Sequence, residues 1–582
     1  MGWFETFGIK FKIKGFMEIE KIWIEKYKEV PEEFLNSFKE YPKPILEILW
    51  NRNLKEKEEI EKFLNPCWEK IYDPFLMDGL EEAAKKIVEA IKKNKKICIF
   101  SDYDTDGCCC AALFKEFFER IGFKNYLIYI PSRKEGYGLS EEALKNLKKE
   151  EIDLIVTCDC GISDVYETEF AKKLGMEVII SDHHLPQDFL PNTLIVNPHL
   201  KGNSYPFKEL SGTGVGFKLI QGILRTLDYP YRESLEKWNA DLLSISCVAD
   251  FMPLLDENRI FTKFGLITLE KTRKIGLKEL KKVCLLPEKV SAQDIAYYLA
   301  PRLNVSSKID HQNEAYHLLT TDSEEEAKFL AKRLDEKVKE RQRQTEIIER
   351  EIESKIKEPL PKILCFGSPN WPLGIISSLA SKLREKYFRP VFLWREERFQ
   401  IKGSARSIEE FNLVEVLSQI KKLHPEIFIS FGGHKKAAGF TILPQYKDLF
   451  LETLTSIANS QILDEYLIPK IEIDAKILPE DLNEKFFEYY DKLEPFGMGN
   501  PMPVFLMPKV KVKGVSSVGE NGNHLRLKIE TSGFTFDAIG FRKGLDAFKI
   551  PPDSYINLVV TLKKNFWQGR EKLDLEIIDW RR

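Results

Sequence analysis

The prediction of fold and site starts from one stretch of the sequence: Ile97-Cys98-Ile99-Phe100-Ser101-Asp102-Tyr103-Asp104-Thr105-Asp106-Gly107. Its apolar first half predicts a buried strand, and residues 108–121 after it predict a helix. Acidic residues at the carboxyl end of such a strand lie where open α/β sheets bind ligands. Alternate spacing in an extended segment would direct the three Asp side chains the same way, whereas in a loop Gly107 would let the chain bend so that they converge. Like charges this close favour a bound cation, with helix capping by Asp as the alternative.

The composition is that of an ordinary globular chain with several domains. A length of 582 residues predicts three or four domains, and 43% hydrophobic and 31% charged residues are typical values. The net charge of −3 requires any nucleic-acid surface to be local. We expect neither a membrane span nor a signal peptide, because charged residues interrupt every apolar run. The ten Cys include no C-x-x-C pair, which favours reduced thiols in a cytoplasmic protein.

Several more apolar segments end in candidate ligands. A predicted strand at 152–157 precedes Asp159, and another at 176–180 precedes Asp182-His183-His184. A predicted helix over 242–249 runs into Asp250. Strands that alternate with helical segments predict a parallel sheet with helices on its faces. Helix capping explains one acidic ending but explains several poorly. The Gly-rich run 211–216 permits either phosphate binding or close backbone packing.

A second α/β unit follows a long charged helix that is predicted over 322–358. This unit contains two Gly-rich segments that are predicted as loops. The first is Gly403-Ser404-Ala405-Arg406-Ser407, and the second, residues 431–439, contains Gly432-Gly433-His434. Backbone amides freed by small residues, with an Arg and a His nearby, can form an anion pocket. We favour that pocket over tight turns with incidental charge.

The C-terminal part turns to short strands from about Lys470, which predicts a small barrel or sandwich. Cations on these strands interleave with the aromatic residues Phe541, Phe566 and Trp567. Such a surface suits a single nucleic-acid strand through phosphate contacts and base stacking, and a plain solvated β surface is the alternative. The cations are Lys509, Lys511, Lys513, Arg526, Lys528, Arg542, Lys563 and Lys564.

These pieces together resemble the RecJ branch of the DHH phosphoesterase superfamily. The stretch 102–107, Asp159 in Thr-Cys-Asp-Cys-Gly-Ile-Ser, Asp182-His183-His184 and residues 248–254 are similar to the four DHH motifs, in order. The two Gly-rich segments resemble the DHHA1 companion domain. Residues 493–501, Leu-Glu-Pro-Phe-Gly-Met-Gly-Asn-Pro, and the terminal β segment are similar to the OB-type domain. The resemblance runs from about residue 45 to the C-terminus.

The resemblance implies an α/β fold with two α/β domains, the DHH parallel sheet and DHHA1, joined by a long helix and followed by a C-terminal OB-type β-barrel. It implies a metal-dependent 5′-to-3′ exonuclease that hydrolyses single-stranded DNA to 5′-mononucleotides in DNA repair and recombination. The expected domains are an N-terminal helical cap region (1–92), the DHH catalytic domain (93–321), a connecting helix (322–360), DHHA1 (361–463) and the OB-type domain (464–582).

Site residues follow from the matching positions. Two Mn²⁺ or Mg²⁺ ions would be held by Asp104, Asp106, Asp159, His183 and Asp250, with Asp159 bridging them. His184 would face the scissile phosphate, and Asp182 would orient an imidazole. Independently of the resemblance, a ligand set of carboxylate oxygens and one imidazole suits Mn²⁺ or Mg²⁺. The substrate-binding residues would be Arg406, which lines a pocket for the 5′ end, together with Ser404, Gly433, His434, Arg302 and Trp567.

The chain departs from the family pattern at three places. The usual Trp-His-x-Gly is Trp371-Pro372-Leu373-Gly374, so its His is absent. The usual Arg-Leu-Asn-Ala-Ala-Gly-Arg reads Arg302-Leu303-Asn304-Val305-Ser306-Ser307-Lys308, and Asp-Gly-Tyr-Gly reads Glu135-Gly136-Tyr137-Gly138. The metal set is intact, so these departures bear on recognition of the substrate end, on processivity and on rate.

Two other functions compete with this interpretation. One is a DHH phosphodiesterase of short oligonucleotides or cyclic dinucleotides, whose expected architecture lacks the C-terminal β domain. The other is a non-catalytic single-strand-binding scaffold, which the intact metal set argues against. For the exonuclease, we expect a monomer that acts on single-stranded DNA, with a helicase and a single-strand-binding protein as candidate partners and no membrane association.

Overall fold

The computed structural model describes residues 21–132, 135–309, 313–531, 533–567 and 570–582, without the side chains of 306–309, 520 and 564–573. The chain divides into two compact units. The first combines the described residues up to Glu25 with Arg343–Ile473, and the second combines Lys26–Gln342 with Asp474–Arg582. The second unit is therefore built from two distant parts of the sequence.

Eighteen strands lie in the part of the chain that the structure describes. In chain order they are β1 (Ile22–Glu25), β2 (Ile97–Ser101), β3 (Tyr126–Tyr129), β4 (Leu154–Cys158), β5 (Glu177–Ser181), β6 (Leu194–Val196), β7 (Leu364–Ser368), β8 (Val391–Glu396), β9 (Ile401–Arg406), β10 (Phe428–His434), β11 (Ala437–Ile442), β12 (Lys470–Ile473), β13 (Ala475–Lys476), β14 (Phe505–Val518), β15 (His524–Thr531), β16 (Phe534–Gly540), β17 (Tyr555–Trp567) and β18 (Arg570–Arg581).

The same described residues form twenty α-helices. They are α1 (Glu32–Ser37), α2 (Lys43–Asn51), α3 (Lys57–Leu64), α4 (Leu80–Lys92), α5 (Thr105–Arg120), α6 (Glu141–Lys149), α7 (Val165–Lys173), α8 (Gly212–Thr226), α9 (Arg232–Trp238), α10 (Ala240–Ala249), α11 (Asp256–Glu270), α12 (Ile275–Val283), α13 (Ala292–Asp294), α14 (Ala300–Ile309), α15 (Glu314–Thr320), α16 (Glu324–Lys355), α17 (Leu373–Tyr387), α18 (Leu413–Leu423), α19 (Lys447–Gln461) and α20 (Glu484–Leu493).

A five-stranded parallel sheet forms the centre of the second unit, in the order β3-β2-β4-β5-β6. Strand β2 is buried on both faces, which is usual for a parallel sheet covered by helices. Ile97 and Ile99 pack into the core with α4, α5 and α8, whereas Cys98 and Phe100 pack against α6 and α7. The predicted parallel sheet is confirmed, and β2, β4 and β5 all present their carboxyl ends at one edge.

Helix α5 begins three residues before the predicted start. Asp104 caps it, because its carboxylate accepts a hydrogen bond from the Gly107 amide at 3.0 Å. Gly107 thus lies in the first helical turn, and a Cβ there would lie 2.3 Å from the Asp102 carbonyl oxygen. The expectation that Gly107 bends a loop is wrong, because the residue permits close packing of the helix against the preceding segment.

The first unit contains a mixed sheet in the order β10-β11-β9-β8-β7. Strands β7 and β8 are parallel, and the remaining pairs are antiparallel. The two Gly-rich segments predicted as loops are strands instead: 403–406 lie in β9, and 431–434 with 437–439 form the hairpin of β10 and β11. Small residues suit these strands because, for example, a Cβ at Gly403 would lie 2.1 Å from the Phe440 ring.

The N-terminal region predicted as helical also differs from the structure. Strand β1 pairs in parallel with β12 and so belongs to the first unit. Helices α1 to α3 belong to the second unit, where their apolar faces share one core with the C-terminal strands. The pairing partner of β1 is more than 440 residues away, which local sequence patterns do not reveal.

The C-terminal strands form a closed barrel. Strands β14, β15, β16, β18 and β17 pair in that order, and β17 pairs with β14 to complete the circle. The predicted β-barrel is therefore confirmed. Buried residues of α2 and α3, such as Ile45, Leu49 and Ile60, join the barrel interior in a single hydrophobic cluster. In the described residues, no helix is both long and apolar enough to cross a membrane.

Candidate active site

The candidate ligands meet at the carboxyl edge of the parallel sheet. Three groups have ligand atoms within 4.8 Å of one another: Asp159 with His183 and His184, Asp106 with His183 and Asp250, and Asp102 with Asp104 and Asp159. Asp159 and His183 each belong to two of these groups. All five metal ligands that the sequence predicts therefore lie in one cluster.

Asp106 is held by the amino-terminal end of α8. Its carboxylate accepts hydrogen bonds from the backbone amides of Gly212 and Thr213, at 2.7 and 2.8 Å, and from the hydroxyls of Thr213 and Ser246, both at 2.6 Å. The sequence allowed two roles for the glycine-rich start of this helix, phosphate binding or close packing. In the structure it binds a protein carboxylate, which the positive end of the helix dipole favours. These bonds fix the Asp106 side chain in a buried position.

Asp159 follows β4 in a left-handed backbone conformation, with φ of +61°. This region is uncommon for non-glycine residues, and Asp is among the few that tolerate it. Gly212 makes the conformation possible, because a Cβ there would lie 2.5 Å from the Asp159 Oδ1 atom. Asp159 Oδ1 is buried without a hydrogen-bond partner among the described residues. A buried carboxylate oxygen of this kind calls for a cation.

His183 and His184 differ in environment although they are adjacent. The Nδ1 atom of His183 donates to the Leu210 carbonyl at 3.0 Å, which leaves Nε2 as the ligand atom. That Nε2 lies 3.1 Å from Asp159 Oδ1 and 3.6 Å from Asp250 Oδ2. His184 instead donates from Nδ1 to Asp182 Oδ1 at 2.8 Å. The Nε2 atom of His183 thus faces the carboxylates, whereas Nδ1 of His184 is engaged by Asp182.

The Asp182 carboxylate forms hydrogen bonds with both histidines. Its carboxylate accepts the amides of Ile162, His183 and His184 as well as the His184 ring. Burial favours the neutral form of Asp182, but the hydrogen bond and the charge of His184 outweigh it and hold the pKa of Asp182 below its usual value. Asp182 therefore contacts His184 through a hydrogen bond, and its role in orienting that imidazole stays a prediction.

Tyr137 closes one side of the cluster. Its hydroxyl donates to the Asp159 carbonyl at 3.1 Å and lies 3.1 Å from His184 Nδ1. Burial and the nearby charge of Asp182 raise the pKa of Tyr137, so the hydroxyl stays neutral. The motif departure at Glu135 leaves this tyrosine in contact with the site.

The carboxylates repel one another in the absence of positive charge. Burial, followed by repulsion from Asp104, raises the pKa of Asp102 to about 7. Burial, followed by repulsion from Asp106, raises the pKa of Asp104 to about 6 and that of Asp250 to about 8, and raises the pKa of Asp159 well above its usual value. Burial lowers the pKa of His183, which favours the neutral ligand form.

This donor set fits Mn²⁺ or Mg²⁺. The unpartnered oxygens of Asp102 and Asp159 are buried, and burial with mutual repulsion raises the pKa of both carboxyls, so a bound cation would stabilise their ionised forms. Hard oxygen ligands with imidazole suit these ions, whereas a zinc thiolate site would need cysteine ligands. Cys158 and Cys160 flank Asp159 but are buried, and burial raises the pKa of Cys160.

The predicted substrate-binding residues lie at three places. Arg302 donates from Nε and Nη2 to Asp335 Oδ1, at 3.0 and 2.6 Å, so its guanidinium forms an internal ion pair. The Trp567 side chain, like those of Phe566 and Lys564, lies outside the described residues. Ser404, Arg406, Gly433 and His434 all belong to the first unit. The roles of these residues remain predictions.

Arg406 and His434 lie at the same end of the mixed sheet, since both pair with Ala437. The guanidinium of Arg406 donates to the hydroxyls of Ser404 and Ser381, at 2.9 and 3.1 Å. Among the described residues no carboxylate lies within ion-pair distance of Arg406, and burial, then repulsion from Arg384, lowers its pKa. An anion would relieve this repulsion. Gly433 has φ of +141°, which the tight hairpin requires.

Some site residues escaped the sequence-based prediction. Asp102 belongs to a metal-binding group, although only the later two carboxylates of its motif were assigned to metal. Thr213 and Ser246 hold Asp106, and the Asn304 side chain accepts the Thr105 amide at 3.0 Å. The alternation of the three Asp residues did signal Asp102. Nothing local signals Ser246, because its partner lies 140 residues earlier.

Comparison with known proteins agrees with this site. Family models match a DHH family N-terminal domain at residues 96–249, a DHHA1 domain at 361–460 and a RecJ OB domain at 473–579. The single-stranded-DNA-specific exonuclease RecJ of Bacillus subtilis is 36% identical over 542 residues, covering 92% of this chain and 67% of that protein. RecJ of Thermus thermophilus is 30% identical, covering 92% and 74%.

A solved structure shares the fold. The crystal structure of Thermus thermophilus RecJ with Mn²⁺ superposes with a TM-score of 0.79 at 26% identity, covering 96% of this chain and 79% of that chain. The same protein with Mg²⁺ gives a TM-score of 0.74 at 25% identity. A parallel sheet with carboxylates and two histidines at its edge, followed by a DHHA1 domain, defines a protein of the DHH superfamily. With its RecJ OB domain and its relatives, the chain belongs to the RecJ family.

Proposed function

We propose that this chain is a metal-dependent exonuclease that degrades single-stranded DNA from the 5′ end and releases 5′-mononucleotides, in DNA repair and recombination. The observation that carries the proposal is the convergence of Asp104, Asp106, Asp159, His183 and Asp250 in one cluster at the sheet edge. The relatives, which are named as single-stranded-DNA-specific exonucleases, support the substrate class. The closed barrel counts against a phosphodiesterase of very short substrates.

The five ligands divide the work of holding two ions. Asp159 belongs to two of the three groups, which supports its role as the shared ligand. Bound Mn²⁺ or Mg²⁺ would supply a nucleophilic water at neutral pH and charge for the oxygens of an in-line displacement. Asp106 is immobilised by four hydrogen bonds, and His183 is immobilised by Leu210. These two ligands are therefore held in place by the protein itself.

His184 supplies a cation beside the ligands. Burial alone would lower its pKa, but the hydrogen bond and charge of Asp182 raise the pKa of His184 to about 9. The raised pKa favours the protonated imidazole, with Nδ1 held by Asp182. A half-exposed cation in this position can donate to a non-bridging oxygen of the scissile phosphate.

A labelled-strand assay tests the activity. A single strand labelled at its 5′ end should release labelled mononucleotide first in Mn²⁺ or Mg²⁺, a 3′-labelled strand should release it last, and chelator should stop both. A duplex of the same sequence is the control. Preferential release of the 3′ label, or equal digestion of the duplex, would contradict the proposal.

The proposal assigns a terminal phosphate to Arg406, with Ser404, Gly433 and His434 around it. The guanidinium is partly buried, lacks a carboxylate partner among the described residues and already bonds two serine hydroxyls. We expect Arg406→Ala to slow degradation of 5′-phosphorylated strands at least ~10-fold more than that of 5′-hydroxyl strands, since charged hydrogen bonds contribute most to phosphate binding. Arg398→Ala, in an exposed turn, is the control. Equal loss on both substrates would remove this role.

The proposal extends to context and domain division. A single-stranded substrate must be produced by unwinding a duplex, which supports a helicase and a single-strand-binding protein as partners of a cytoplasmic monomer. The division proposed from sequence is a cap region (1–92), DHH (93–321), a connecting helix (322–360), DHHA1 (361–463) and an OB-type domain (464–582). Affinity capture with a catalytically inactive variant tests the partners, and light scattering tests the monomer.

A further inference from the structure

Helix α10 ends in a Schellman motif that contains an unusual residue. The Met252 amide bonds to the Cys247 carbonyl at 2.9 Å, and the Phe251 amide to the Val248 carbonyl at 3.3 Å. Phe251 occupies the position after the C-cap, with φ of +55°. Glycine is the usual residue here, because a Cβ is strained in the left-handed region. The chain places a bulky aromatic residue where its backbone disfavours one.

The Phe251 ring contributes little to the fold. The residue is 72% exposed, whereas Met252 packs with Cys247 and Leu254 in a small apolar cluster. The backbone around it is fixed independently, since the Leu254 amide donates to the Met498 carbonyl at 2.7 Å. Local strain without burial indicates that the Phe251 ring is not needed for stability, and its neighbours decide whether it has another role.

The position of Phe251 directly after Asp250 points to a role for its ring. Asp250, the C-cap of α10, is a predicted metal ligand, and its carboxylate lies 3.6 Å from the His183 ring. Consecutive Cα atoms are about 3.8 Å apart, so the backbone of Phe251 directly adjoins that of a residue in the candidate metal cluster. Met498, 56% exposed and bonded to the same backbone segment, adds a second apolar side chain. Exposed aromatic rings beside a phosphate site are typical stacking surfaces for bases.

We propose that Phe251 stacks against the base of a nucleotide next to the scissile phosphate and so holds the strand in register with the metal ligands. This inference rests on the proposed exonuclease function and adds a base contact to it. A π-face tolerates every base, so the contact would position the strand without reading its sequence. The same residue would then be unfavourable for the fold and favourable for the substrate, which makes the two effects separable.

Two variants separate the effect of Phe251 on folding from its effect on substrate binding. Phe251→Gly and Phe251→Asn both remove the ring, and both residues tolerate the left-handed backbone. We expect each to raise KM for single-stranded DNA about tenfold or more, a loss in the range of one stacked base. Melting temperature should stay equal or rise by about 2 °C. Phe251→Tyr should keep the parent KM.

The chain supplies a matched control. Leu285 occupies the same position in the Schellman motif that ends α12, with φ of +54° and 90% exposure. Leu285→Gly should match the thermal effect of Phe251→Gly and leave the KM unchanged. A fall in melting temperature for both Phe251 variants would assign the residue to the fold and overturn the inference.

Abasic substrates complete the test. Strands with single abasic positions, placed one to three nucleotides from the 5′ end, should show one position at which the parent loses about as much as the variants do. At that position Phe251→Gly should cause no further loss. Equal KM in parent and variants, or an equal further loss on every abasic strand, would refute stacking. A parent that fails to cleave single strands at all would instead refute the proposed function.

Discussion

His183 and His184 show how the fold shifts the pKa values of two adjacent, identical side chains in opposite directions. His183 donates to a backbone carbonyl and is buried, which lowers its pKa and leaves a neutral Nε2 for a metal ion. His184 donates to Asp182, which raises its pKa to about 9. A hydrogen-bond partner on Nδ1 decides in each case whether the ring acts as a ligand or as a cation.

At this scale we expect Asp159→Asn to abolish cleavage and leave the fold intact. Asn tolerates the left-handed backbone of Asp159 and has almost the same shape, but it removes the charge that two ligand groups share. The fall in kcat should exceed about 100-fold, since changes around metal ligands alone cost 10–100-fold. Single-turnover digestion measures the rate, and calorimetric Mn²⁺ titration measures the loss of binding.

Asp188→Asn, on the exposed loop after the histidines, serves as the control for Asp159→Asn and should digest DNA at the parent rate. If Asp159→Asn retained more than a tenth of the parent activity, Asp159 would not be an essential shared ligand.

The raised carboxylate pKa values predict a pH-dependent stability of the metal-free protein. The pKa is about 8 for Asp250 in the folded state and ~3.9 for an unfolded Asp. Between these values the folded state binds more protons, so stability is greatest below the unfolded pKa and is lost as pH rises toward 8. We expect the melting temperature in chelator to fall over this range more steeply for the parent than for Asp250→Asn.

Saturating Mn²⁺ should remove most of the difference between parent and Asp250→Asn in the slope of melting temperature against pH, because the bound charge replaces protons at the carboxylates. Differential scanning fluorimetry at pH 5 to 8.5 provides the measurement. Parallel curves for parent and Asp250→Asn in chelator would show that repulsion at this residue does not limit stability.

At the scale of elements, the amino-terminal end of α8 assembles the site. It presents two amides to Asp106, and its first residue is a glycine against which Asp159 packs. Three of the four glycines in α8 lie in its first five residues, a pattern that looks unfavourable for a helix when it is read alone. The packing of Gly212 explains why the helix begins there.

Two glycine substitutions in α8 should have opposite effects. In Gly212→Ala the new Cβ would lie 2.5 Å from Asp159 Oδ1, so the ligand must move. We expect kcat to fall about 100-fold, the typical effect of a misplacement near 1 Å. In Gly214→Ala the nearest atoms lie 3.4 Å away, an ordinary contact, so activity should persist and the melting temperature should rise slightly.

Steady-state kinetics and melting curves of these two variants, purified side by side, measure both effects. Equal activity in the two would show that Asp159 can shift without consequence, against the close packing that the structure places at Gly212.

Sequence patterns located the parallel sheet and the cluster of candidate ligands at its edge, for a physical reason. A buried strand followed by Asp is a local signal, and the strands β2, β4 and β5 each end in one. The Gly-rich segments of the first unit misled because small residues were taken as loop formers. In β9 and the β10–β11 hairpin they instead make room for rings such as Phe440, and only the folded neighbours reveal that.

At the scale of the whole molecule, the second unit has a core that joins the two distant parts of its sequence. Helices α2 and α3 pack into the barrel formed by β14 to β18. Buried Arg259 of α11 reinforces this junction, because it donates to the carbonyls of Phe63, Lys492 and Glu494 at 2.7–2.8 Å. Periodicity predicts each helix and strand but cannot say that they share an interior.

The shared core makes a long-range prediction. Ile45→Ala in α2 should loosen the barrel, although the barrel begins more than 450 residues later. Truncation of a fully buried Ile side chain to Ala costs about 2–5 kcal/mol of folding free energy. The N-terminal helices and the barrel should be destabilised together, because they share this core. Hydrogen exchange followed by mass spectrometry should show faster exchange in β14 of the variant.

Leu454→Ala in α19 is the matched control, since Leu454 is equally buried but lies in the core of the first unit. It should speed exchange around α19 and leave β14 unchanged. Slow exchange in β14 of the Ile45 variant would show that the barrel folds without the N-terminal helices.

The order in which a ribosome makes the chain gives this shared core a further meaning. Helices α2 and α3 are synthesised early, but the strands that cover their apolar faces arrive about 440 residues later. At ~5–20 residues per second this interval lasts roughly 20–90 s. Throughout it the nascent chain carries uncovered Ile45, Leu49 and Ile60, which are binding surfaces for chaperones. Premature termination before the barrel would leave the same surface open to proteases, so quality control would remove products that carry every predicted metal ligand but lack the barrel.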